Sequence, residues 1–337
     1  MNKAEFINGL TASMDGIAQM GLLILIGYLI VRRKWISNDT LNDLIRILMD
    51  VVVPCTLILA MARSFTVDFF RQSLIPTTVG TAWILAAWLF GWIWFRLFPG
   101  DTVQQERSVI AMMMVSNTIY LPLPVILAVT PPELHDPATV YISITAIPSI
   151  ILMWTVCVLL LAGSKRPTRR EQLKMTLNAP ILSLTFGILL TFIPGIREAA
   201  RMEPGSSTLL RTLFSVMNHV NGMFSPLAMM ILGGLIAAGQ GAGRPKWRYV
   251  VPLVSVRLIL VPATVYLLLR CCLPPLPAPA HTVLILVSAT PSAVNHSLAS
   301  RRYNGEWELV SALQLVIHIA ALFTLPLWLS LGFVPMN

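Results

Sequence analysis

Charged residues are scarce in this sequence. They make up 12% of its 337 residues, about half the share that a soluble globular protein carries. Hydrophobic residues make up 56%, and the mean hydropathy is +0.75. This composition excludes an ordinary soluble fold, and we predict an all-α polytopic membrane protein.

Motifs of catalysis and metal binding are also missing. The four cysteines show neither a CxxC pair nor another metal-ligand spacing; they are Cys55, Cys157, Cys271 and Cys272. The sequence has no HExxH pair, no glycine-rich phosphate-binding loop with a lysine and no paired-aspartate metal motif. These absences argue against an enzyme, a bound metal and a cofactor.

The net charge of +9 would suggest nucleic acid in a soluble protein. Here most Lys and Arg residues fall in short connectors between apolar stretches, so no nucleic-acid partner is predicted. The basic run between residues 165 and 174 is instead typical of a loop beside anionic lipid headgroups. The predicted partner of this surface is the lipid bilayer.

Apolar stretches of about 20 residues, the length that crosses a bilayer, recur along the whole chain. They predict ten spans, at 16–32, 42–63, 76–98, 107–129, 138–162, 179–195, 207–238, 248–271, 281–300 and 308–332. With the N-terminus outside, fifteen Lys and Arg residues fall in inside loops and seven in outside segments. The positive-inside rule therefore predicts a cell-membrane protein with both termini outside.

A basic linker at 163–178 divides the chain into residues 1–162 and 179–337, with five spans each. An odd number of spans per half inverts the second half relative to the first. Three matches recur in the same order at similar offsets: Gly27 with Gly187, Pro54 with Pro226, and Pro124 with Pro291. Inverted repeats of this kind are typical of secondary transporters.

Spans four and nine carry residues that break helices. Pro291 interrupts span nine, and the stretch SNTIYLPLP, residues 116–124, interrupts span four. Broken helices persist in membranes only where the freed polar groups face protein or a water-filled cavity. Half-helix N-termini attract anions, and Asn117 and Asn295 add amide groups nearby. A matched pair of breaks predicts a substrate site.

The stretch TPSAVNHSLASRRYNGEWEL, residues 290–309, resembles a motif of the auxin efflux carrier family, which includes plant PIN-formed carriers and bacterial members. Asn117, Thr118, Leu121 and Pro124 resemble that family's motif in span four, although Ile119 and Pro122 stand where glycines are usual. Asn178-Ala179-Pro180 resembles the Asn-Pro start of its second half. Without a large central hydrophilic loop, the chain is more similar to the bacterial members.

The resemblance implies a scaffold domain of spans 1, 2, 6 and 7 and a transport domain of spans 3–5 and 8–10. Spans four and nine would cross at the midplane, in a bile-acid-symporter or NhaA-like fold that moves as an elevator. The substrate would be a small organic anion, such as malonate, malate or an auxin. Asn117 and Asn295 would contact it, while Pro124 and Pro291 maintain the breaks. A homodimer through the scaffold is also implied.

Five further residues are candidates for a hydrogen-bond, charge or proton role. Asp50 either carries a proton or pairs with Arg46, one helical turn away. Arg257 either neutralises a carboxylate substrate or pairs with Asp50 or with backbone carbonyls. The remaining three are expected near the crossing, with Gln314 and His318 as candidate substrate contacts and His296 as a candidate proton carrier.

Two alternative functions stay open at this stage. A membrane receptor or regulatory subunit would bind a ligand at the same crossing without moving it. A sodium-coupled symporter of another solute would share the architecture. The sequence alone states neither the substrate nor the coupling ion.

Overall fold

The computed structural model describes residues 3–238 and 244–332, and it is helical throughout this part of the chain. The helices are α1 (Lys3–Arg32), α2 (Asn38–Ile47), α3 (Val53–Ser64), α4 (Val67–Leu97), α5 (Val103–Met114), α6 (Pro122–Val129), α7 (His135–Leu152), α8 (Val158–Leu161), α9 (Arg169–Thr176), α10 (Ala179–Leu190), α11 (Ile196–Ala200), α12 (Thr208–Gly222), α13 (Phe224–Ala238), α14 (Trp247–Val254), α15 (Val261–Cys271), α16 (Ala278–Ala289), α17 (Asn295–Arg302) and α18 (Trp307–Gly332). A short 3₁₀ turn, Pro132–Leu134, precedes α7.

Six helical runs are long and apolar enough to cross a membrane: Asn38–Ser64, Val67–Leu97, Pro132–Leu161, Thr208–Ala238, Trp247–Cys271 and Trp307–Leu331. A seventh run consists of α9 and α10, bent by 52°. Ala18–Arg32 and α16 are shorter apolar helices. A helical membrane protein with several spans is thus confirmed. Most predicted span ends agree with these helices to within several residues, but span three begins at Val67, nine residues before the predicted start, because Pro76 lies inside α4 and does not begin it.

Both predicted helix breaks are present. Span nine is interrupted between α16 and α17, at residues 290–294, which include Pro291. Span four is interrupted between α5 and α6, at residues 115–121. The break in span four lies before both prolines of the motif, because Pro122 and Pro124 fall in the first turn of α6. The N–H groups of a helix's first turn have no partner within the helix, so a proline there costs no hydrogen bond.

Three π-helical segments lie within the spans, at Leu48–Val52, Met153–Cys157 and Ser255–Leu260. The first and third are each followed by a proline in the next helix, Pro54 or Pro262. A proline cannot bond to the carbonyl four residues before it. For Pro262 that carbonyl belongs to Leu258, and it accepts the indole N–H of Trp328 at 2.8 Å.

Helices of the first and second halves of the chain pack closely against each other at glycines. A Cβ on Gly27 would overlap the main-chain carbonyl of Met230, so α1 lies directly against α13. A Cβ on Gly187 would collide with Met61, so α10 lies directly against α3. Small residues allow membrane helices to approach closely. The two glycines that match in sequence therefore occupy equivalent packing positions, each against the opposite half.

Two groups of ion pairs join the ends of different helices. Asp101, in the loop before α5, accepts hydrogen bonds from Lys246 at 2.7 Å and from Arg248 at 3.0 Å. Arg63, at the end of α3, forms an ion pair with Asp136 at 3.5 Å. The first cluster joins spans three and four to span eight, and the second joins span two to span five.

Candidate functional site

The two helix breaks cross each other and are joined by main-chain hydrogen bonds. The N–H of Asn117 donates to the carbonyl of Pro291 at 2.8 Å, and the N–H of Ala293 donates to the carbonyl of Val115 at 3.1 Å. These bonds flank an antiparallel bridge between Ser116 and Ser292. The extended residues of each break therefore satisfy the other's backbone groups, as membrane burial requires.

A cavity opens beside this crossing, and its empty space, with the open mouth included, is about 440 Å³. Residues 115–120 of the first break and 293–295 of the second form one part of its wall. The rest comes from span five and from the start of span six, at Ser149, Ile150, Met153, Trp154, Asn178 and Pro180. The cavity is thus shared between both halves of the chain.

Three asparagines line this cavity; Asn178 and Asn295 lie at helix N-termini, and Asn117 lies in the turn that leads into α6. The Oδ1 atom of Asn117 accepts the N–H of Tyr120 at 3.0 Å, just before α6. The Oδ1 atom of Asn178 accepts the N–H of Ile181 at 3.2 Å and caps α10. Asn295 is the first residue of α17. Two helix N-termini with partial positive charge, those of α10 and α17, therefore begin at the cavity, and the turn before α6 forms another part of its wall.

The amide groups of these asparagines retain hydrogen-bonding capacity. Within the described residues, the side chain of Asn295 makes no hydrogen bond, and neither Asn117 nor Asn178 uses its Nδ2 group. An amide nitrogen carries two donors, which suit a carboxylate. The cavity can therefore offer donors to a ligand from its side chains without breaking the caps that hold the helices.

The lining of the cavity contains no charged side chain. Its polar groups are amides, hydroxyls and the indole of Trp154, and the rest is apolar. Such a pocket suits a small molecule with an apolar body and a few polar atoms. Attraction for an anion would have to come from helix N-termini and from charges outside the wall.

The structure places the predicted prolines differently from the asparagines. Pro291 lies at the crossing and supplies the acceptor carbonyl for Asn117, whereas Pro124 is buried within α6. Neither lines the cavity. The crossing pairs Ser116 with Ser292.

Gln314 and His318 lie on α18, behind and beside the crossing. Gln314 donates its amide to the carbonyl of Ser292 at 2.7 Å, so it supports the second break from outside the cavity. His318 is 4% exposed and lines a second cavity, whose other walls are apolar residues of α1, α13 and α18 and of the start of α6. Its Nδ1 donates to the carbonyl of Gln314 at 2.8 Å. The structure does not bring His318 together with Asn117 and Asn295.

Arg257 is fully buried in the π segment of span eight. Its guanidinium donates to the carbonyls of Val287, Ser288 and Thr290, at 3.4, 3.2 and 3.1 Å. These carbonyls end α16, so Arg257 caps the first half of span nine. Of the predicted alternatives, pairing with backbone carbonyls is the one observed, and pairing with Asp50 is not.

Asp50 and His296 also differ from the expectations in detail. Arg46 pairs with Asp43 at 3.5 Å, so the predicted pair of Arg46 with Asp50 is not formed. Asp50 is exposed and forms no ion pair with any described residue. His296 is fully buried, its Nδ1 donates to the carbonyl of Ala293 at 2.7 Å, and it lies behind the cavity wall.

Sequence reasoning missed several residues of the cavity. Asn178 was recognised only as part of a family motif, although an asparagine before Ala-Pro already predicts a helix cap. Tyr120, Ser149 and Trp154 carry no local signal, because only the packing of span five against the break brings them to the wall. Within the described residues, no group of three or more His, Cys, Asp or Glu side chains is placed to hold a metal ion.

Comparison with known proteins adds one finding. A family model described as membrane transport protein matches residues 12–176 and again residues 168–329. The two matched segments meet at the basic linker and together cover almost the whole chain. A comparison with curated proteins gives no match. The protein is thus a membrane transport protein, and the chain belongs to the auxin efflux carrier family.

Proposed function

We propose that the protein moves a small organic anion, a carboxylate or an auxin-like acid, across the cell membrane by alternating access. It would act as a secondary active transporter or a uniporter, and the cavity beside the crossing would be its substrate site. The observation that carries the proposal is the convergence of three asparagines on one cavity, Asn178 and Asn295 at helix N-termini and Asn117 in the turn before α6. Membership of a membrane transport family supports it.

Helix N-termini suit an anion because their N–H groups and dipoles favour negative charge. In the proposed site the substrate carboxylate accepts hydrogen bonds from the amides of Asn117, Asn178 and Asn295. Its organic part lies against Trp154 and Met153. Fixed dipoles, unlike a lysine in the cavity, hold the anion without forming a contact pair that would be slow to release.

The cavity also lies where a moving domain would meet a stationary one. Asn117 and Asn295 belong to spans four and nine, in the proposed transport domain of spans 3–5 and 8–10. Asn178 begins span six, in the proposed scaffold of spans 1, 2, 6 and 7. Movement of the transport domain would carry two of the three asparagines away from the third. Substrate release on the far side would then follow from the loss of one contact.

Ten spans, two inverted halves, outside termini, an elevator movement and a scaffold homodimer belong to the same proposal. The close packing of Gly27 and Gly187 against opposite halves supports the inverted arrangement. The shorter helices Ala18–Arg32 and α16, and the interrupted span four, supply the three crossings beyond the seven long runs.

The test is uptake of radiolabelled malonate, malate and indole-3-acetate into proteoliposomes, with and without a proton gradient, a membrane potential and sodium. Saturable uptake of one of them supports the proposal, and its dependence on each gradient identifies the driving ion. Uptake that requires sodium would favour a sodium-coupled symporter. Folded protein that is thermally stabilised by one of these anions but transports none would identify a receptor instead.

A further inference from the structure

Arg257 has no acidic partner in the part of the chain that the structure describes. Its side chain is fully buried, and no carboxylate lies within ion-pair distance or interacts with it electrostatically. Its bonds go to three carbonyls, and its Nη1 group is buried without any hydrogen bond. Because arginine stays protonated in proteins, a full positive charge is fixed inside the membrane-spanning core.

Capping α16 does not by itself require a cation. The corresponding end of α5 is capped by neutral groups, since the hydroxyl of Ser292 donates to Met112 at 2.7 Å and the N–H of Ala293 donates to Val115. The C-termini of α5 and α16 both end at the crossing, and of these two only α16 is capped by an arginine. This asymmetry indicates a role for the charge itself.

The charges at the crossing sum to about one positive unit. The C-termini of α5 and α16 each carry about −0.5 charge, and the N-termini of α6 and α17 each carry about +0.5. These four ends cancel, which leaves the guanidinium of Arg257. The histidine beside it, His296, is counted here as a neutral imidazole; its Nδ1 donates to the carbonyl of Ala293, and its ring also lies against the carbonyl of Ala111. Asp50 lies on span two, outside the proposed transport domain.

We propose that Arg257 is the fixed counter-charge of the transported anion. It does not touch the substrate, because it lies outside the cavity wall, and it acts through the field at the crossing. A bound monoanion then neutralises the transport domain, and a dianion leaves it with one negative charge. The inference rests on the proposed transport function and adds which step of the cycle moves charge.

The fixed charge of Arg257 affects the loaded and the empty steps of the transport cycle differently. With a monoanion, the loaded domain crosses the membrane as a neutral body, and the empty domain returns carrying one positive charge. Exchange of substrate for substrate uses only the loaded step and is therefore insensitive to voltage. Net uptake also needs the empty return and is sensitive to voltage. Without the charge of Arg257, the loaded step carries the negative charge of the anion, so exchange becomes sensitive to voltage. Net uptake stays sensitive, because each cycle still moves one negative charge across the membrane.

The experiment measures exchange of indole-3-acetate, and of malonate in parallel, in proteoliposomes with potassium diffusion potentials set by valinomycin. In the wild type we expect exchange of the monoanion to change less than about 2-fold over 100 mV. In Arg257→Gln the rate of the same exchange should depend on voltage as expected for one moving charge. The change over 100 mV would be up to about 50-fold if that charge crosses the whole field. The voltage dependence of malonate exchange should also become steeper in Arg257→Gln, by the equivalent of one charge. Arg257→Lys keeps the charge and behaves as the wild type.

A second measurement needs neither a substrate nor a variant. Wild-type protein without any anion should show a transient charge movement after a voltage step in a planar bilayer, because the empty domain carries Arg257 across the field. Transport without this transient, or the same voltage dependence of exchange in Arg257→Gln and the wild type, would overturn the inference and leave the proposed function intact. Absence of transport for every anion tested overturns the proposed function, and the inference with it.

Discussion

The main-chain N–H of Asn117 donates to the carbonyl oxygen of Pro291 at 2.8 Å, across 174 positions of the sequence. This bond and its neighbour, from Ala293 to Val115, join the two interrupted helices at their breaks. Because Pro291 has no N–H, its carbonyl is the group it contributes to this pairing. The two breaks therefore form one structural unit, and residues on either side of them are expected to move together.

Asn117 combines a structural task with a binding task, and one substitution separates them. In Asn117→Asp the carboxylate still accepts the N–H of Tyr120, so the turn before α6 keeps its side-chain hydrogen bond. The amide donors are lost and a negative charge enters the cavity. We expect normal folding and uptake of the organic anion reduced at least about 10-fold. Thermal unfolding and proteoliposome uptake measure the two effects; wild-type uptake by this variant would remove Asn117 from the site.

Gly27 tests the packing of α1 against α13. In Gly27→Ala the new Cβ meets the backbone carbonyl of Met230, which cannot move aside as a side chain could, so we expect destabilisation of about 1–3 kcal/mol. Gly21 in the same helix is the matched control, because a Cβ there meets no atom within 4 Å. Gly21→Ala should be neutral or slightly stabilising. Unfolding of both variants in detergent decides the matter; equal effects would mean that the two helices do not pack as described.

Arg63 and Asp136 join the proposed scaffold to the proposed transport domain. Their side chains are 17% and 33% exposed, so solvent screens the pair only in part. We expect Asp136→Asn to lower the unfolding free energy by up to about 1 kcal/mol. The pair of Asp68 with Arg71 is the control, because these side chains are 80% and 74% exposed. Asp68→Asn should leave the thermal midpoint unchanged, and a larger loss there than in Asp136→Asn would contradict the account.

The loop before α5 should respond to acid through Asp101. Its pKa is held below the ordinary value, chiefly by the hydrogen bond from Lys246. A carboxyl with a lowered pKa in the folded state stabilises above its unfolded pKa of about 4, and this stabilisation is lost as the pH falls through the folded value. Thermal midpoints between pH 6 and pH 3 should therefore fall more steeply in the wild type than in Asp101→Asn.

Asp39 provides the control for that measurement, because it is exposed at the start of α2 and forms no ion pair with any described residue. Asp39→Asn should keep the wild-type slope. If Asp101→Asn shows the same slope as the wild type, the contact of the loop with Lys246 and Arg248 does not stabilise the fold.

The sequence predicted helices and the break at Pro291 because these depend on local properties. Runs of apolar residues set the spans, and proline rules set the interruption. The same rules placed the other break too close to Pro124, because Pro122 begins α6 instead of ending α5. A proline is compatible with the first turn of a helix, so its position alone does not say on which side the break lies.

The composition of the site depended on contacts between distant segments. Asn117 and Asn295 share a cavity because the two breaks pair in one register, with Ser116 opposite Ser292. That register is fixed by tertiary packing, and no local pattern contains it. The bonds of Arg257 to the end of α16 and the separation of His318 into a second cavity follow from the same packing. Family membership was predictable, since it rests on motifs that are continuous in sequence.

The most direct test of the substrate site is uptake by Asn295→Ala, measured beside the wild type and the exposed control Asn42→Ala in proteoliposomes of equal protein content. The side chain of Asn295 makes no hydrogen bond in the described structure, so its removal should leave folding and the crossing intact. The account predicts that Asn295→Ala loses transport of the anion while its thermal midpoint and that of the control match the wild type. Wild-type transport by folded Asn295→Ala would contradict the assignment of the cavity as the substrate site.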